Sequence, residues 1–129
     1  MADWQNALET VAAAYARGTL EKDARTISEA YRLKTGEGRR LLTRKSEAAA
    51  YALSRMPATV EAAKAALTEA LAATGLAPKT LLDCGAGTGA VTFAADALLG
   101  LERATCLERE TAMRAVGQQL MCEAGGVQA

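Results

Sequence analysis

Apolar positions recur every three or four residues through the first two-thirds of the chain, and then give way to short unbroken runs. Trp4, Leu8, Val11, Ala12 and Tyr15 form one helical stripe, with Gly18 as its expected stop. A second helix is expected over residues 20–33, carrying Leu20, Ala24, Ile27, Ala30 and Tyr31, before Gly36 and Gly38 mark a turn. Ser46 can cap a third helix over 47–55, which Met56-Pro57 should end because a residue before proline avoids helical dihedrals. Pro57 then suits the first turn of a fourth helix bearing Val60, Ala63, Leu67, Ala70 and Leu71. Gly75, Leu76 and Pro78 spell its end.

After Lys79 the pattern changes. Thr80-Leu81-Leu82-Asp83-Cys84 reads as a short buried parallel strand, followed by glycines and a helix over 90–99 closed by Gly100. A second strand is expected over 103–108 and a last helix over 111–124, with Met113, Val116, Leu120 and Met121 on one face. Strand–helix–strand–helix implies a right-handed parallel crossover. The fold class is therefore α/β: a helical region over 1–78, then an incomplete Rossmann-like core over 79–129 with its first two parallel strands and their helices. Two strands leave a sheet edge open and an apolar face uncovered, so the chain reads as the N-terminal part of a larger domain.

Composition narrows the functional classes. Half the residues are hydrophobic, enough for a core, but much of that is alanine, and the five aromatics favour helices over a β-sandwich. Zero net charge argues against a polyanionic partner for the chain as a whole, although Arg32, Lys34, Arg39, Arg40, Arg44 and Lys45 concentrate positive charge against Glu37 alone. That segment is either a solvated helix end or a phosphate contact. No histidine is present, which removes imidazole catalysis and His-based zinc sites. Cys84, Cys106 and Cys122 show no CxxC pairing, so neither a disulfide framework nor a metal site is expected. Without a secretory pattern or an apolar run of about 18 residues, the chain is expected in the cytosol, with neither a membrane nor DNA as partner.

The chemistry sits in Asp83-Cys84-Gly85-Ala86-Gly87-Thr88-Gly89. Glycines between a strand and a helix let main chain approach a ligand, and the first amides of the helix offer it hydrogen bonds and partial positive charge. Glu108, ending the next strand, can accept hydrogen bonds from two ribose hydroxyls. Gly85-Ala86-Gly87-Thr88-Gly89-Ala90 also satisfies the GxGxxA form of dinucleotide sites, and a purely structural turn is the third reading. Asp83 favours S-adenosylmethionine: a carboxylate there repels a pyrophosphate but suits an ammonium and a sulfonium. The expected ligand contacts are Asp83, Gly85, Ala86, Gly87, Gly89 and Glu108. Cys84 and Phe93 read as core residues, and Thr88 as either a ligand contact or a helix cap.

One stretch is more specific. Ala48-Ala49-Ala50-Tyr51-Ala52-Leu53-Ser54-Arg55-Met56-Pro57-Ala58-Thr59-Val60, taken with 81–89 and with Leu107-Glu108-Arg109-Glu110-Thr111-Ala112-Met113, Gly117 and Leu120, resembles the methyltransferase-like small-ribosomal-subunit (Rsm22) family of mitochondrial ribosome assembly factors and bacterial relatives. The resemblance implies a Rossmann-like core preceded by helices, S-adenosylmethionine as ligand, and the small ribosomal subunit or its rRNA as partner, in ribosome biogenesis and translation. By matching position, Asp83, Gly85, Gly87 and Gly89 would line the ligand and Glu108 would hold its ribose. Family members bind an iron–sulfur cluster through cysteines further along than this sequence reaches, and none of its cysteines is assigned to that role. The acceptor-side residues are missing too, so no catalysis is expected of this chain alone. A methyltransferase for another substrate and a non-catalytic, ligand-stabilised assembly module are the alternatives.

Overall fold

A computed structural model describes residues 3–15, 17–33 and 44–125. In chain order the elements are α1 (Trp4–Ala12), α2 (Arg17–Leu33), α3 (Lys45–Thr74), β1 (Thr80–Cys84), α4 (Ala90–Leu99), β2 (Arg103–Leu107) and α5 (Thr111–Ala124). The strands pair in parallel, Leu81 opposite Ala104 and Asp83 opposite Cys106. The fold is α/β, a Rossmann-like opening preceded by helices.

The N-terminal helices differ from expectation in their boundaries. Asp3 caps α1 by accepting from the Asn6 amide at 3.1 Å. The helix closes at Ala12 through tightened bonds, Ala14 N–H to Val11 C=O and Tyr15 N–H to Ala12 C=O. Gly18 is therefore not a stop and lies in the first turn of α2. On α2, Leu20 is buried and Ala24 half-buried, while the expected stripe residues Ile27, Ala30 and Tyr31 fall outside the described side chains.

A larger correction concerns Pro57. The two helices expected on either side of it are one 30-residue helix, α3, with Pro57 inside. Its N-cap is Arg44 rather than Ser46, with the Glu47 carboxylate accepting from the Arg44 amide at 3.1 Å. Proline removes one amide from the ladder and crowds the carbonyl four residues back. Packing outweighs this penalty. Ala48, Ala49, Ala50, Ala52, Met56 and Val60 are all buried, wedging the first half of α3 among its neighbours. Gly75 ends the helix as expected, in the left-handed conformation with its amide on the Leu71 carbonyl.

Leu8 and Val11 of α1, Met56 and Val60 of α3, Phe93 of α4, and Val116 and Leu120 of α5 share one core. Each such side chain contributes about 1.5–3 kcal/mol of burial. A smaller cluster of Ala95, Leu101 and Ala104 joins α4 to the sheet. Among the described residues, the helices cover one sheet face only. Asp83 and Ala104 on that face are buried, whereas Leu82, Cys84 and Leu107, on the other, are exposed. Cys84, expected as a core residue, thus lies on the uncovered side. Strand alternation decides this: it sits one residue beyond the inward-facing Asp83. No helix among the described residues is long and apolar enough to cross a membrane.

Candidate functional site

The glycine loop runs from the end of β1 to the start of α4, and β2 delivers Glu108 beside it. Main-chain bonds set the loop: the Gly85 and Ala86 amides both donate to the Leu107 carbonyl, at 2.8 and 2.9 Å. The Gly87 amide donates to Glu108 Oε1 at 2.9 Å, and the Glu110 amide to Oε2 at 2.7 Å. The Arg114 guanidinium fixes the Glu108 carbonyl at 2.8 Å. Each carboxylate oxygen therefore spends one lone pair on main chain and keeps another for a ligand donor.

The three glycines are not equivalent. A Cβ at Gly85 would meet nothing within 4 Å, so no side chain fills the space in front of that glycine. A Cβ at Gly87 would lie 3.4 Å from the Met113 methyl, and one at Gly89 only 2.7 Å from the Met121 methyl. From beneath, α5 comes close enough that a Cβ on Gly117 would stand 3.4 Å from the Gly87 carbonyl oxygen and from Thr88. Gly117 and the two methionines thus support the loop, a role that sequence reading gave them no credit for. A glycine inside a helix, where it costs about 1 kcal/mol against alanine, was the available signal.

Asp83 is buried and turned toward α4, where the Thr92 hydroxyl donates to its Oδ2 at 2.8 Å. Thr88 is not the helix cap: its hydroxyl faces Met56 Sδ at 3.8 Å, and Gly89 is the N-cap of α4 without a side-chain bond. Phe93 is core, as expected. Cys106 is half-buried, and burial, foremost, pushes its thiol above the usual range. Of the expected ligand contacts, Ala86, Gly87, Gly89 and Glu108 border a cleft of about 180 Å³ between the loop, β2 and α5, together with Thr88 and Gln118, whereas Asp83 and Gly85 do not line it. Small-molecule sites usually run to about 300–1,000 Å³, so a coenzyme-sized ligand would lie only partly within it.

Among the described residues no cluster of His, Cys, Asp or Glu could hold a metal. Of the basic segment, Lys34, Arg39 and Arg40 lie outside the described residues, as does the Arg32 side chain. Arg44 is engaged internally, 3.0 Å from buried Asp23 and 2.9 Å from Glu47, and both carboxylates raise its pKa, Glu47 the more.

No curated protein matches the chain. The sequence model of the family described as mitochondrial small ribosomal subunit Rsm22 matches residues 45–129, more than half of it. That description overturns the expectation of a cytosolic protein.

Proposed function

The chain belongs to the Rsm22 family, and from that membership we propose that it binds S-adenosylmethionine on its glycine loop and acts on or with the rRNA of the small ribosomal subunit. One observation carries the ligand assignment: the Glu108 carboxylate lies within hydrogen-bond reach of the Gly87 amide, so acidic group and bare loop form one mouth.

When bound, S-adenosylmethionine supplies an electrophilic methyl group on a sulfonium. Glu108 would accept from the ribose hydroxyls with the lone pairs left free by main chain. Gly85 and Ala86 would pass main chain along the ligand, and the first-turn amides of α4 would face its carboxylate. Gly87 and Gly89 would keep the loop low over α5. Asp83 would answer the positive charge of the amino-acid end. The buried carboxylate also disfavours the dinucleotide reading, because it would confront a pyrophosphate.

Calorimetric titration of the full chain with S-adenosylhomocysteine and with NAD tests the assignment. Saturable binding of the first alone is expected. Binding of NAD, or of neither, would refute it.

A further inference from the structure

Five threonines of the helices share one habit. Thr10, Thr26, Thr59, Thr68 and Thr74 each turn the hydroxyl back to the carbonyl four residues earlier, at 2.7–3.1 Å. Thr92, in the first turn of α4, departs from it. It is completely buried, and its hydroxyl leaves the helix for Asp83 Oδ2 on β1, 2.8 Å away. The same oxygen stands 3.4 Å from Cys106 Sγ on β2, directly across the ladder from Asp83. Thr92 has one proton, and the carboxylate takes it. Cys106, held in the thiol form by burial, is then the donor of the second contact. The result is an ordered relay across three elements, Cys106 S–H to Thr92 O–H to Asp83.

We infer that Thr92 is a positioning residue for ligand recognition: it pins one oxygen of Asp83 so that the carboxylate is held ready for the cationic amino-acid end of an adenosyl ligand. The inference rests on the assignment of the loop to such a ligand. A buried carboxylate with no fixed donor would be free to rotate about its last bond, and its charge would no longer be aimed. Reading the amino-acid end thereby depends on a residue that the ligand does not touch. Recognition of the nucleoside, through Glu108 and Gly85, does not pass through Thr92.

Two probes separate these ends. S-adenosylhomocysteine carries the amino-acid tail, and 5′-methylthioadenosine is a similar thioether nucleoside without it. In the full chain, Thr92→Val keeps the shape and loses the hydroxyl. It should weaken S-adenosylhomocysteine about tenfold and leave methylthioadenosine within about twofold, as expected for loss of one charge-assisted contact. Thr92→Ser, which keeps the hydroxyl, should restore the wild-type ratio. Asp83→Asn should reproduce the selective loss, and adding Thr92→Val to it should cost nothing more. Equal weakening of both probes by Thr92→Val, or none, overturns the inference while leaving the ligand assignment intact. Should Thr92→Val fail to fold, Asp83→Asn decides alone, and wild-type affinity for both probes there overturns it. A wild-type chain that binds neither probe overturns the ligand assignment and the inference with it.

Discussion

Replacing Glu108 by glutamine preserves shape and removes one acceptor. Both carboxylate oxygens accept from main chain, Oε1 from Gly87 and Oε2 from Glu110. A glutamine amide has one oxygen and one NH2, so whichever way it is turned, one backbone amide faces a donor. Hydrogen bonds to charged groups contribute about 1.5–3 kcal/mol and neutral ones about 0.5–1.5 kcal/mol. One bond is lost and the other falls from the first class to the second, but Glu108 is only half-buried and water can replace part of the loss. The expected destabilisation of the ligand-free protein is therefore about 2 kcal/mol, read by urea unfolding. Hydrogen exchange locates it: the Gly87 or the Glu110 amide should lose protection, while amides in the middle of α3 should not. The same change at exposed Glu102 serves as the control and should be near neutral. If Glu108→Gln matches the wild type in stability and both amides stay protected, the carboxylate does not brace the loop and the geometric case for its ribose role fails.

Three other outcomes follow from the structure. Pro57→Ala should stabilise the protein by about 2 kcal/mol, the interior-helix penalty of proline less the gain in unfolded-state freedom, and so raise the melting temperature by several degrees; no change, or a loss, would mean that Pro57 starts a helix rather than interrupting one. Under native conditions iodoacetamide should modify exposed Cys84 and Cys122 well before Cys106, and Cys106 labelling should climb at higher pH than for a free thiol, because its proton is held more tightly; early modification of Cys106 at neutral pH would contradict this. If the basic segment meets RNA, replacing Arg39 and Arg40 by alanine should weaken binding and flatten its salt dependence by roughly 0.7 per lost single-strand phosphate contact, whereas Arg44→Ala should lower stability through its contacts to Asp23 and Glu47; the reverse pattern would refute the division.

Much of the βαβα half was legible because its punctuation is local. Gly75 and Pro78, the glycine loop, Gly100 and Gly125 bracket each element, and a run such as Thr80–Cys84 has few other uses. What escaped was decided at a distance. The penalty of Pro57 is a local rule, overridden by alanines that only the assembled core shows to be buried. Thr92 and Asp83 are nine residues apart and meet because a helix folds back over a strand. Cys84 looked like core because an unbroken apolar run does not reveal which sheet face is covered.

The glycines carry the same lesson into the site. In sequence, Gly85, Gly87 and Gly89 look like one motif with one purpose, yet two of the missing side chains are replaced by methionine methyls from α5. Gly85 and Gly89 both have positive φ, +72° and +97°, so alanine at either adds backbone strain of about 1–2 kcal/mol. Beyond that common cost the two should diverge. Gly89→Ala drives a Cβ against Met121 and should lose further stability. Gly85→Ala projects its methyl into open space, and should lose little more stability but at least tenfold in S-adenosylhomocysteine affinity if the proposed ligand meets main chain there. Thermal melts and titrations of the two variants separate the cases, and a Gly85→Ala protein that binds like the wild type would place the ligand somewhere other than over this loop.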